Sequence, residues 1–129
     1  MRLRPLIATL AVLIVVSSAA ALGGCSKNKS TNPTPTPTPE SFDSGDLVLG
    51  TPFTHTFNTA GTYAYRCLHH STSLTSGMVG TVIVDNASLI TGASVNVASN
   101  TFSPSSVTIK PGGIVTWNLA SGTHTVTRP

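Results

Sequence analysis

From Ser41 onward the chain alternates between apolar and polar positions. In "PFTHTFNTAGTYAYRC", Phe53, His55 and Phe57 share one side of an extended strand, and Tyr63, Tyr65 and Cys67 share one side of a second. A period of two marks half-buried β-strands, and "NTAG" between the runs has turn chemistry. "MVGTVIVD" is a compact apolar strand. "SVNVASNTF", "SVTIK" and "IVTWNLA" follow, with "PGG" as a tight turn between the last two. "SGTHTVT" opens as a turn and ends as a strand. No stretch of this region has a helical period. About seven short strands over residues 41–129 predict an all-β domain, an antiparallel sandwich around one core. So small a core gains from an added staple, and a bound metal is one form of staple. Trp117 alternates with Val115 and reads as core. His55, between Phe53 and Phe57, reads as a hydrogen-bonded core histidine rather than a ligand.

The first 40 residues follow another pattern. Arg2 and Arg4 precede a small and apolar run of 16 residues, Leu6 to Ala21, shorter than the ~20 that span a bilayer as a helix. This is the apolar centre of a secretory signal. It ends in Leu22-Gly23-Gly24-Cys25, which resembles the bacterial lipobox. The resemblance implies that residues 1–24 are a cleaved signal peptide and that Cys25 is the lipidated first residue of the mature chain. An ordinary signal peptide or an uncleaved anchor are the other readings. An acyl anchor ties a protein to a membrane without spanning it. Residues 25–40 then hold the acylated cysteine and a linker with "TNPTPTPTPE", which favours polyproline II. At ~3.1 Å per residue, such a spacer holds the domain about 25 Å from its anchor. The expected location is the cell envelope, on the periplasmic or extracellular face of a bacterial membrane. Ser26, in place of an aspartate after the acylated cysteine, favours an outer membrane where there is one.

Charge adds little. The formal net charge of +3 includes Arg2 and Arg4; without them, five Lys/Arg against four Asp/Glu leave 5 − 4 = +1. The basic balance belongs mostly to the leader and gives no support for nucleic-acid binding. The cysteine count adds more. If Cys25 carries lipid, Cys67 has no partner and no disulfide forms within the chain. An unpaired thiol in an exported protein is either buried and inert or held by a metal. No serine–histidine–acid set stands out, so an enzyme is not expected.

"YAYRCLHHSTSLTSGM" gathers the remaining chemistry. Cys67 closes a strand, His70 follows at Cys-x2-His spacing, and Met78 heads the next strand. Soft sulfur donors select copper over hard cations, and two histidines, a cysteine and a weak axial methionine make a blue-copper electron-transfer site. The adjoining His69 competes with His70 for the ligand position, and the spacing favours His70. His69 is then a surface imidazole, idle or a point where electrons enter.

These segments resemble the plastocyanin-like (type 1 blue copper, cupredoxin) family. "SFDSG", "FTHTFNTAGTYAYRCLHH" and "GMVGTVIV" are similar to the C-terminal half of such a domain, and "NTFSPSSVTIKPGGIVTWNLASGTHTVT" to its N-terminal half. Each half is present once, in reversed order, over nearly all of residues 41–129. The resemblance implies a Greek-key β-sandwich, circularly permuted, with residues 85–93 as the new connection and Gly92 as a turn. It implies one copper ion (Cu+/Cu2+) per domain, held by His124, Cys67, His70 and Met78. A strand so near the chain end as that after His124 is free to fray unless the metal holds it. Asn118 and the backbone around it are candidates to support the Cys67 sulfur. The chain departs from the family in leaving seven residues between His70 and Met78, more than is usual.

The implied function is a membrane-anchored one-electron carrier serving redox partner proteins. Copper capture or delivery and a metal-free structural module are the alternatives. Zinc also accepts such ligands, but would leave the methionine unused. A monomer is expected. A fragment of a tandem protein, completed by exchange of halves between two copies, is the alternative to permutation.

Overall fold

The computed structural model describes residues 40–129. The expected signal peptide, Cys25 and the Thr-Pro stretch up to residue 39 lie outside the described residues. Nine strands follow in order: β1 (Phe42–Asp46), β2 (Phe53–Phe57), β3 (Gly61–Arg66), β4 (Val79–Val84), β5 (Gly92–Ala98), β6 (Thr101–Ser103), β7 (Ser106–Ile109), β8 (Gly113–Leu119) and β9 (Thr125–Arg128). The described residues contain no helix. One sheet has the order β1-β9-β3-β4-β7 and the other β2-β8-β5-β6.

The sandwich is mixed rather than antiparallel, because β4 with β7 and β5 with β8 run parallel. Alternation fixes which side chains face inward, but it is blind to the direction of the neighbouring strand. "SVNVASNTF" is two strands, not one. It folds back at Ser99 and Asn100, whose φ angles are 50° and 57°, with Ala98 opposite Thr101. A two-residue hairpin with both central residues left-handed usually carries glycine, and here none marks it. Gly92 does not make the expected turn; it opens β5 opposite Ile114. The chain turns earlier, where Ser88 N–H donates to the Asp85 carbonyl (3.0 Å) and Ala87 N–H to the Asp85 carboxylate (2.9 Å).

Aromatic rings fill the space between the sheets. Trp117 of β8 meets Tyr65 of β3 edge-on at 5.3 Å, and Phe57 of β2 meets Tyr63 of β3 at 5.0 Å. Such edge contacts add about 0.5–1.5 kcal/mol each beyond the area they bury. Tyr65 stands in register opposite Gly80, where a Cβ would overlap its phenol ring. Burial pushes the Tyr65 phenol up to about 12, so it stays neutral. His55 is half-buried on the rings of Phe42 (4.7 Å) and Phe57 (4.8 Å). Its Nε2 has no hydrogen-bond partner, since Glu40 Oε1 at 3.5 Å only grazes it. The expected hydrogen-bonded histidine is therefore an aromatic-packing one.

This architecture sends three chain segments to one pole of the sandwich. β3 runs into Cys67, β1 runs into Leu47, and β9 begins just after His124. β9 lies between β1 and β3, and residues 124–127 are buried. The strand expected to fray is thus an interior strand, bonded on both edges without any metal. The ends of the described chain lie side by side, Phe42 opposite Arg128.

Candidate metal centre

Cys67 and His124 are buried and His70 half-buried, and together they form the one group of this kind among the described residues that could hold a metal ion. Cys67 Sγ lies 3.4 Å from His70 Nδ1 and 3.7 Å from His124 Nδ1, and the two nitrogens are 3.2 Å apart. A point equidistant from three atoms at these spacings lies about 2.0 Å from each, and imidazole and thiolate bonds to a first-row metal run about 2.0–2.3 Å. The donor set is soft, mixed nitrogen and sulfur, and closely spaced. It fits a transition metal and does not fit a hard cation, which wants oxygen.

Each donor is placed by a different device. Cys67 continues β3, whose inward face Tyr63 and Tyr65 also occupy. Its N–H donates to the Met78 carbonyl (3.0 Å), and the His70 N–H donates back to the Cys67 carbonyl (3.3 Å). Met78 N–H donates to the His70 carbonyl at 3.0 Å, and the Ser71 hydroxyl to the Met78 carbonyl at 2.6 Å. The long stretch between His70 and Met78 is thus a closed excursion: Ser71–Gly77 leave and return while the residues at its base stay bonded. Gly77 makes the return possible. Its φ is +86°, and a Cβ would overlap the His70 carbonyl. The Met78 side chain is buried.

His124 comes from the β8–β9 loop. Its carbonyl accepts the Leu47 N–H (2.8 Å), and Val126 N–H donates to the Ser44 hydroxyl (2.8 Å), so β1 clamps the histidine from outside. Gly122, at φ +84°, leaves room for the ring; a Cβ would come 2.7 Å from Nε2. Burial pushes the His124 imidazole below its ordinary value. His70 and His69 push the same way, and a hydrogen bond with the Ser121 backbone opposes them. The shift favours the neutral imidazole, the form that binds metal.

His69 does not join the group. Its Nε2 contacts Asp46 Oδ1 at 2.6 Å on the surface, so it is paired rather than idle. Asn118 does not support the sulfur either: its side-chain amide donates to Ser94 Oγ at 2.8 Å. The support comes from Thr125, whose N–H points at Cys67 Sγ at 3.4 Å and whose hydroxyl oxygen accepts the Leu68 N–H at 2.8 Å. Sequence reading passed over Thr125. The signal available was its place directly after His124, which forces its backbone to lie wherever that ligand lies.

Comparison with known proteins gives no further guide: the chain matches no family model, no curated protein and no solved structure.

Proposed function

We propose that this protein is a type 1 copper protein that carries single electrons, with a cupredoxin-like sandwich whose two halves stand in reversed order. The observation that carries this reading is the triangle of Cys67 Sγ, His70 Nδ1 and His124 Nδ1, with edges of 3.2–3.7 Å. Cys67 would hold the copper as thiolate, His70 and His124 as imidazoles, and Met78 as a weak thioether. A copper ion held there would supply the Cu(I)/Cu(II) couple. The chain supplies rigidity and dryness. Cys67 and His124 are fixed by interior strands and closed to water, so little has to move when the charge changes. His70, at the half-exposed edge, is the route by which electrons reach the centre.

The reversed order is supported by the pairing of Phe42 with Arg128. A chain can be reconnected where its ends are neighbours, and residues 85–91 are the new join. One copper per monomer is expected. Lipid at Cys25 and the Thr-Pro spacer would keep the domain at a bacterial envelope membrane, exchanging electrons with partner proteins and catalysing no reaction of its own. Copper capture or delivery is the second reading, favoured by the partly exposed 71–77 excursion next to His70.

The test is the visible spectrum of the purified domain with Cu(II), repeated with Cys67→Ser. An intense blue band at one copper per monomer, lost in the variant, is expected. A colourless protein that binds Cu(I) moves the reading to capture, and a protein that binds neither ion removes copper from the function. Two coppers per dimer, with no monomer, would replace permutation by exchange of halves.

A further inference from the structure

We infer that Asp43 is a positioning residue for the metal centre, acting through a chain of two threonine hydroxyls that ends on the backbone around Cys67. This rests on the copper reading for its purpose, though not for its geometry.

Asp43 sits on β1, exposed, opposite Thr127 of β9. Its Oδ1 lies 2.9 Å from the Thr127 hydroxyl and accepts the Gly45 N–H at 3.0 Å. The Thr127 hydroxyl is 3.2 Å from that of Thr125. Thr125 in turn accepts the Leu68 N–H at 2.8 Å and directs its own N–H at Cys67 Sγ at 3.4 Å. Both threonines are buried, so water does not reset their hydroxyls.

Counting protons orders the chain. Thr127 has one hydroxyl proton and two oxygen neighbours. The Asp43 carboxylate has none to give, and the Thr127 hydroxyl is the donor to Thr125 as well, so the two acceptors share that one proton. The Thr125 oxygen accepts it beside the Leu68 N–H. One carboxylate at the surface therefore sets how much of that proton reaches the oxygen that holds the residue after Cys67. Thr125 is held at both its hydroxyl and its amide, and the amide is the one aimed at the sulfur. Hydrogen bonds to a ligand sulfur tune a metal centre, and chains of hydrogen bonds polarise one another.

The test uses Asp43→Ala and Thr127→Val, first in the metal-free protein. The readout is the proton resonances and hydrogen exchange of four backbone amides. The Thr125 and Leu68 amides should shift in opposite senses in the two variants, because Asp43→Ala leaves Thr125 the whole Thr127 proton and Thr127→Val leaves it none, and the Leu68 protection should change with them. The Leu47 and Val126 amides, which bond to His124 and Ser44, should keep their protection. Asp43→Asn, which keeps an acceptor oxygen, should keep the Leu68 protection. Unchanged Thr125 and Leu68 amides in either folded variant overturn the inference. So does loss of protection at all four amides together, because β1 would then merely be coming away. If Asp43→Ala does not fold, Thr127→Val, which preserves side-chain shape and leaves Asp43 on Gly45, decides alone. With copper added, the same variants should move the thiolate-to-copper band and weaken Cu(I) binding about tenfold, the low end for an outer-shell partner. A wild-type protein that takes no copper defeats the proposed function, while the metal-free amides still decide the role of Asp43.

Discussion

The two sides of the candidate centre are built in opposite ways. Cys67 and His70 belong to a loop that closes on itself: three backbone hydrogen bonds link Cys67, His70 and Met78 within twelve residues of chain. His124 belongs to no such loop. It is held by Leu47 and followed by a strand that bonds Ser44, both some 80 residues away along the chain. One half of the site is local and tolerates an excursion such as Ser71–Gly77. The other half exists only if the ends of the domain pair. Damage to the core under β1 should therefore cost the His124 side first, and damage to the loop should cost the Cys67 side while the sheets survive.

The largest effect is expected from Phe42→Ala. Phe42 anchors β1 among Phe57, Tyr65 and Trp117, and truncating a buried phenylalanine costs about 3–5 kcal/mol. Chemical denaturation should show that loss. Hydrogen exchange should show the Leu47 amide, bonded to His124, opening more than that of Met78. An equal loss at both would erase the distinction between the halves.

Gly77→Ala should cost less, about 1–3 kcal/mol, because it forces a left-handed residue against the His70 carbonyl. The Met78 amide should lose protection while the strand pairs of β1 and β9 keep theirs. Wild-type exchange at Met78 would show that the excursion can close some other way.

Acid probes the remote half. The folded chain holds the His124 imidazole below its ordinary value, chiefly by burial. Below about pH 6.5, where an ordinary histidine protonates, the unfolded chain takes up a proton that the folded one resists, and the folded state loses stability. The loss stops growing once pH falls past the lowered folded value. Denaturation midpoints of the metal-free domain should therefore be lower at pH 5.5 than at pH 7.5, and His124→Gln should shrink that difference. An unchanged difference in the variant would assign the acid sensitivity elsewhere.

The smallest effect is expected from Asn118→Ala. Its amide bonds Ser94 rather than the sulfur, so stability should change within about 0.5 kcal/mol, as for most surface substitutions. The copper spectrum should not move. A shifted band would return Asn118 to the sulfur's surroundings.

The sequence by itself determined what is local. Period-two alternation put Tyr63, Tyr65 and Cys67 on one buried face, and a thiol, an imidazole and a thioether close together in one loop named the class of chemistry. It also separated His70 from His69, since a tight turn after a strand brings back the third residue, not the second. The tertiary structure decided the rest. Strand direction within each sheet depends on crossovers that alternation does not encode. The hairpin at Ser99 and Asn100 lacked its usual glycine. Thr125 became the sulfur's partner, and Asp43 a neighbour of Thr127, only because β9 is threaded between β1 and β3. Hydrogen bonds between residues far apart in the chain are set by sheet register, and register emerges only when the whole core is packed at once.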